Sequence, residues 1–346
     1  MICDLSYSEI KEYVKSIGFP AFRGDQLFDA IVNAKSLEEI SNLPKSLKEK
    51  IKDDYPNYKI IKSLKSKDET QKFIVEFNDG NIVECVLMKY KYGNTICIST
   101  QVGCRMGCKF CASTLNGLVR NLSAGEMLGQ ILLVNRELGG NKKERKITNV
   151  VLMGSGEPLD NYDNVVKFIS LVSAQNGLNI SQRNISLSTC GIVPKIYELA
   201  ELNFGITLTI SLHATTDEKR REIMPIANRY SINEIIDACK DYFQKTGRRI
   251  YFEYTLIKGI NDGEKDIGNL ATILKGMMCH VNVIPLNSVK ERNLQGTTRL
   301  YAYQFVDKLK KKGVSATVRR TMGEDIEGAC GQLRNKILND NNDKKA

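Results

Sequence analysis

The stretch Thr95-Ile-Cys97-Ile-Ser-Thr100-Gln101-Val-Gly-Cys104-Arg-Met-Gly-Cys108-Lys-Phe110-Cys111 decides the reading of this chain. Its first part, residues 95–100, is a short run rich in β-branched and apolar side chains, the pattern of a buried strand. Its second part is a loop with three cysteines, separated by three and then two residues. In open and barrel-like α/β sheets, ligands bind beyond the carboxyl ends of the strands. One stretch therefore carries both a fold signal and a chemical one.

Working outward, strand patterns recur at residues 147–153, 184–189, 206–212, 249–257 and 280–286, with helical segments between them. One helix should start at Ser123, where Glu126 completes a capping box. Six βα units in series imply a parallel sheet with right-handed crossovers. Six are too few for a closed eight-stranded barrel. The expected fold class is α/β: a partial, open (β/α)6 TIM-like barrel over residues 95–320, with a doubly wound sheet as the competitor. Residues 1–55 read as a small helical domain with two capping-box patterns, Ser6 with Glu9 and Ser36 with Glu39. Ile10, Tyr13, Val14 and Ile17 share a helical face that Gly18 ends. Residues 56–94 read as a β-hairpin extension, with Phe73, Val75 and Phe77 alternating and Asp79-Gly80 at the turn. Residues 321–338 form a glycine-rich, flexible segment carrying Cys330, and 339–346 a disordered polar tail.

The chain has 346 residues, with 50 Lys plus Arg against 40 Asp plus Glu, a net charge of +10. That excess favours a polyanionic partner, although a lysine-biased solvated surface explains it as well. Basic runs occur at 141–146, Lys219-Arg-Arg221, Arg248-Arg249 and 308–320. No apolar run approaches the roughly 20 residues of a membrane span, and the first residues lack a signal-peptide pattern. A cytoplasmic protein is expected, so its ten cysteines point to metal or chemistry rather than disulfides.

Structural zinc and a 4Fe–4S cluster both usually take four protein ligands. Three cysteines on one loop would leave one iron of a 4Fe–4S cluster open to a small molecule; zinc stays possible. Other polar or glycine-rich groups fall at matching strand ends: Gly154-Ser-Gly156-Glu157-Pro158, Ser188-Thr189, Ser211-Leu212-His213 and Pro285-Leu286-Asn287. On the residues alone, Cys97 reads equally as a core residue and Glu84 as an outward-facing strand residue.

The cysteine loop, with Phe110 before its last cysteine, resembles the signature of the radical-SAM superfamily. Phe22-Arg-Gly-Asp-Gln-Leu-Phe28, Gln101-Val-Gly-Cys104, Met224-Pro-Ile226 and Ala329-Cys330-Gly-Gln-Leu333 extend the likeness. Over nearly its whole length the chain resembles the RlmN/Cfr family of RNA methyltransferases. The resemblance implies that Cys104, Cys108 and Cys111 hold one 4Fe–4S cluster. It implies that Gly156, Glu157, Ser188, Ser211, Leu212, His213 and Asn287 line a site for S-adenosyl-L-methionine (SAM). Cys330 would accept a methyl group, Cys97 would release the product through a transient disulfide, and Glu84 would remove the C2 proton of adenine. The implied partners are rRNA, tRNA with its anticodon-loop adenine, and a flavodoxin or ferredoxin; a monomer is expected. A C8 methyltransferase of the same family, or a non-enzymatic basic iron–sulfur or zinc protein that binds RNA, are the alternatives.

Overall fold

At the N-terminus the Ser6 box forms as its residues require. The Ser6 N–H donates to Glu9 at 2.6 Å and the Glu9 N–H to Ser6 Oγ at 3.4 Å, opening α1 (Tyr7–Ser16). Ile10 and Val14 are buried, and Gly18 takes the left-handed conformation at φ +88° that a side chain would resist. Two further helices follow, α2 (Phe22–Val32) and α3 (Lys45–Ile51). The second expected box does not start a helix. Ser36 still donates to Glu39 at 2.7 Å, but that carboxylate is shared with Arg136 and Pro44 follows within a few residues, so only a turn closes.

The structure, a computed structural model, describes residues 1–333. Residues 334–346, including the expected tail, lie outside the described residues. Next along the chain come β1 (Lys59–Lys65), β2 (Gln71–Glu76) and β3 (Ile82–Tyr90), all antiparallel, and β3 pairs antiparallel with β4 (Gly93–Cys97). Here the expected hairpin gains a third strand and continues the main sheet. The extra strand β1 has no clean alternation because it is an exposed edge, guarded by Lys59, Lys62 and Lys65 in the way edges resist further pairing.

A small antiparallel ribbon, β5 (Gln101–Gly103) with β6 (Leu118–Asn121), brackets the cysteine loop. The helix α4 (Ala124–Glu137) then opens on the Ser123–Glu126 box. Five more parallel strands alternate with helices: β7 (Ile147–Leu152), α5 (Tyr162–Ser173), β8 (Ile185–Thr189), α6 (Val193–Glu201), β9 (Thr207–Ser211), α7 (Asp217–Ile223), α8 (Ile232–Thr246), β10 (Ile250–Leu256), α9 (Glu264–Ile273) and β11 (Cys279–Pro285). After α10 (Arg299–Lys311) a seventh parallel strand, β12 (Ala316–Val318), joins β11. It is three residues long and lies in a run read as basic surface, too short to show periodicity.

The ten-stranded order is β1-β2-β3-β4-β7-β8-β9-β10-β11-β12. Among the described residues β12 and β1 end the sheet unpaired with each other, so the barrel is open as expected. Leu187, Leu208, Phe252 and Val281 are fully buried, as strands covered on both faces must be. Leu27, Ile31 and Leu47 of the N-terminal helices share one core with Met127 and Ile131 of α4.

Candidate active site

The carboxyl ends of the parallel strands and the cysteine loop line an open cavity of about 150 Å³, at the ligand-binding end of such a sheet. Cys104, Cys108 and Cys111 line it together with Gly156, Glu157, Ser188, Ser211, His213, Asn287 and Cys330. The loop is fixed by its own backbone: the Cys104 N–H donates to Gly117 at 2.9 Å, and Thr114 Oγ1 donates to the carbonyls of Cys108 and Cys111 at 3.1 and 3.0 Å. Burial pushes the Cys104 thiol up to about 12, and those of Cys108 and Cys111 upward as well. Such thiols ionise only against a compensating cation, which a metal centre supplies.

Among the described residues no three Cys, His, Asp or Glu side chains converge as on a single metal ion. A 4Fe–4S cluster needs no such convergence, because each thiolate takes a different iron. Besides the loop cysteines and Cys330, Cys190 lines the same cavity from the end of β8, and nothing in the sequence spacing singled it out. Its thiol is engaged with the Glu157 carboxylate, so the loop's own set stays at three.

Glu157 is 4% exposed. Its two oxygens accept the Cys190 N–H at 2.7 Å and the Leu159 N–H at 3.0 Å. Burial raises its pKa, against those donors. Gly156 precedes it at φ +110°, and a Cβ there would lie 2.7 Å from Gln101 Cβ and Thr100 Oγ1. Only glycine allows this approach of the β7 loop to the β4 loop.

His213 has φ +54° and is 4% exposed. Its Nδ1 accepts the Thr255 N–H at 3.0 Å, so the ring proton must reside on Nε2. Burial, helped by the nearby Arg220 charge, lowers its pKa to about 3; the ring is a neutral donor. Phe110 meets it edge-on at 4.7 Å, tying the cysteine loop to β9. Leu212, expected to line the SAM site, instead packs in the main core.

Arg220 was read as part of a basic surface run but is fully buried. It donates to the carbonyls of Leu212, Cys190 and Ser211 at 3.2, 2.6 and 3.3 Å, pinning the ends of β8 and β9. Lys219 likewise pairs with buried Asp266 at 2.8 Å. Arg319, from another basic run, lines the cavity, lies 3.0 Å from Glu253, and has its pKa raised first by the charge of Cys330 and then by Glu253.

Cys330 sits in a segment that the glycines suggested would be loose, yet it is anchored from both sides. Asn287 Nδ2 donates to the Cys330 carbonyl at 3.0 Å, the Ala112 N–H to Gly331 at 2.7 Å, and Ser113 Oγ to Leu333 at 2.8 Å. Asp68 accepts the Gly323 N–H at 3.0 Å, and Asp325 accepts from Ser66. Cys97 and Cys330 line a common recess. Burial, and then the neighbouring Cys330 sulfur, push the Cys97 thiol up to about 12. Cys97 pairs in register with Val86 of β3 and packs with Val86 and Leu333. Glu84 does not line the cavity. It lies two residues from Val86 on the same strand face, 3.1 Å from the Lys72 ammonium.

The comparisons with known proteins agree with this geometry. The pattern of the Radical SAM superfamily matches residues 98–271. A probable dual-specificity RNA methyltransferase RlmN of Clostridium perfringens is 54% identical, over 97% of this chain and 97% of that protein. Its counterpart from Clostridium beijerinckii is 53% identical over 98% and 96%. The crystal structure of a radical SAM methyltransferase from Sphaerobacter thermophilus superposes with a TM-score of 0.91 at 37% identity, covering 96% of this chain and 98% of that one. With the three-cysteine loop at the mouth of an open barrel and these full-length relatives, the chain belongs to the radical-SAM superfamily and, within it, to the RlmN family.

Proposed function

We propose that this chain methylates C2 of an adenine in large-subunit rRNA and of an adenine in the tRNA anticodon loop, with Cys330 as methyl carrier and Cys97 as the releasing thiol. The observation that carries this reading is that two thiols far apart in sequence, Cys97 and Cys330, share one recess, and that Cys330 also lines the cavity of the three-cysteine loop. A ring carbon such as adenine C2 is not nucleophilic, so polar transfer from a sulfonium to it is closed. A carrier that can reverse polarity is needed, followed by a means of breaking its carbon–sulfur bond.

Cys104, Cys108 and Cys111 would hold a 4Fe–4S cluster, and Gly156, Glu157, Ser188, Ser211, His213 and Asn287 would surround SAM. When bound, the pair supplies one-electron cleavage of the sulfonium and hence a hydrogen-abstracting carbon radical. Cys330 first displaces the sulfonium sulfur from the methyl group of one SAM, so that S-adenosylhomocysteine leaves with the carbon–sulfur pair and the thiol proton goes to solvent; Arg319 lines the same recess. The Cys330 S-methyl group then gives up a hydrogen atom and adds to the ring carbon. Loss of one electron, which the iron–sulfur centre would take back, and of the C2 proton, the proton to Glu84, leaves a closed-shell thioether. The Cys97 thiolate attacks the Cys330 sulfur, the carbon–sulfur pair goes to carbon, and a proton completes the methyl group. His213 keeps its fixed Nε2–H as a donor, and Asn287 holds the Cys330 backbone in place.

The reading also assigns the helices of residues 1–55 as an accessory unit that contacts RNA, residues 95–320 as the barrel, and residues 321–338 as the carrier segment. It assigns a monomer in the cytoplasm, drawing electrons from a flavodoxin or ferredoxin. No helix among the described residues is long and apolar enough to cross a membrane.

The test is anaerobic reconstitution with iron, sulfide, SAM, dithionite and an rRNA fragment, followed by nucleoside mass spectrometry. 2-Methyladenosine is expected from the wild type and none from Cys330→Ala. Cys97→Ala should accumulate a covalent protein–RNA adduct. 8-Methyladenosine would replace the C2 assignment, and absence of 5′-deoxyadenosine would replace the enzyme reading with an RNA-binding one.

A further inference from the structure

Two tyrosines at the turn between β3 and β4 have no part in the chemistry above. Tyr90 pairs with Gly93 across the turn, and the ring of Tyr92 stacks on that of Tyr90 with centroids 4.9 Å apart and planes 7° from parallel. Tyr92 is 70% exposed. Tyr90 is half-buried and lines the same recess as Cys97, Cys330, Arg319 and Arg320. The stack therefore runs from the reacting thiols outward to solvent.

The turn is held firmly. Gly93 has φ +131°, and a Cβ there would come within 2.2 Å of Thr148 Oγ1, so the turn lies directly against β7. Tyr90 also donates its hydroxyl to Met88 Sδ at 3.6 Å. An exposed large aromatic ring costs solvation, and stacking it on a second ring does not hide it. The surroundings are cationic: Lys91 is exposed in the turn, and the Arg319 charge acts on both rings.

We infer that the Tyr90–Tyr92 stack is a platform for an unpaired RNA base neighbouring the target adenine. A base to be modified must leave its stack, and single-stranded RNA is held by aromatic rings alongside arginine and lysine. An outward ring face that continues an internal stack, within a basic wall beside the carrier cysteine, offers such a base a replacement partner. This inference rests on the RNA methyltransferase reading and adds the nucleotide next to the target to it.

The chain contains no tryptophan, so Tyr92→Trp introduces a single reporter. Titration with an RNA stem-loop whose target adenine has unpaired neighbours should quench its emission, and an abasic neighbour should abolish that quenching. Tyr92→Ala should weaken RNA binding by about 5- to 150-fold, with Tyr92→Phe within about 2-fold of wild type and melting temperatures unchanged. Unaltered emission at saturating RNA, or full affinity in Tyr92→Ala, overturns the platform while methylation by the wild type stands. Failure of the wild type to bind or methylate RNA would instead sink the parent reading.

Discussion

Lys72 Nζ lies 3.1 Å from Glu84 Oε1, with only 5% and 6% of the two side chains exposed. Lys72 also donates to the Glu327 carbonyl at 3.3 Å, three residues before Cys330. One buried cation thus joins the proposed proton acceptor on β3 to the carrier segment. Water cannot replace a lost partner here, so Lys72→Met should destabilise the protein by about 3–5 kcal/mol. The double variant Lys72→Met/Glu84→Met should recover most of that in urea unfolding. Glu84→Gln, which keeps the shape, should lower methylation by about 10²–10⁴-fold if it is the proton acceptor. Unchanged turnover in that variant would leave Glu84 as the ion-pair partner alone.

Cys190 tests the three-thiolate assignment. It shares the cavity with the cysteine loop, but its thiol is engaged with Glu157. Cys190→Ser should retain the iron and sulfide content of the wild type and the electron paramagnetic resonance change on adding SAM. Cys108→Ser should lose the cluster. Loss of iron in Cys190→Ser would mean that every iron has a protein ligand, and SAM would have no open corner.

Gly156→Ala meets a φ of +110° and a contact of 2.7 Å with both Gln101 Cβ and Thr100 Oγ1. The β7 loop must then move away from the β4 loop, carrying Glu157 with it. SAM affinity, measured by equilibrium dialysis, should fall at least about tenfold, as expected when a positioning backbone shifts. Far-ultraviolet circular dichroism should stay unchanged, since the strands themselves are untouched.

Acid should loosen the carrier segment before the barrel. Burial would raise the Asp68 pKa, but the Gly323 N–H, Thr70 and Ser66 donors outweigh it and hold it at about 2. A depressed folded-state pKa means that this anchor is fully present above the ordinary aspartate value. It weakens below that value and is lost as pH falls through about 2. Asp68→Asn should reproduce the effect at neutral pH. Hydrogen exchange at residues 323–333 should accelerate while exchange in β7 to β10 stays slow.

The six βα units were legible because their strands are continuous apolar runs broken by capped helices, a pattern that local chemistry imposes. Ser123 with Glu126 marks α4 from four residues. The cysteine loop announced itself by spacing alone, since its three cysteines lie within eight residues and need no folding to be neighbours. β1 and β12 escaped because an exposed edge and a three-residue strand carry no periodicity.

The sequence by itself determined the parallel sheet and the three-cysteine loop, and family likeness supplied the proposal that Cys330 and Cys97 act together. Tertiary structure alone decided which charges are buried. Arg220 and Lys72 look like their exposed neighbours in the chain, and only long-range packing sets them against carbonyls and a carboxylate. It also decided that the glycine-flanked Cys330 segment is anchored, because its hydrogen bonds reach Asp68, Ala112, Ser113 and Asn287, residues that local pattern cannot connect.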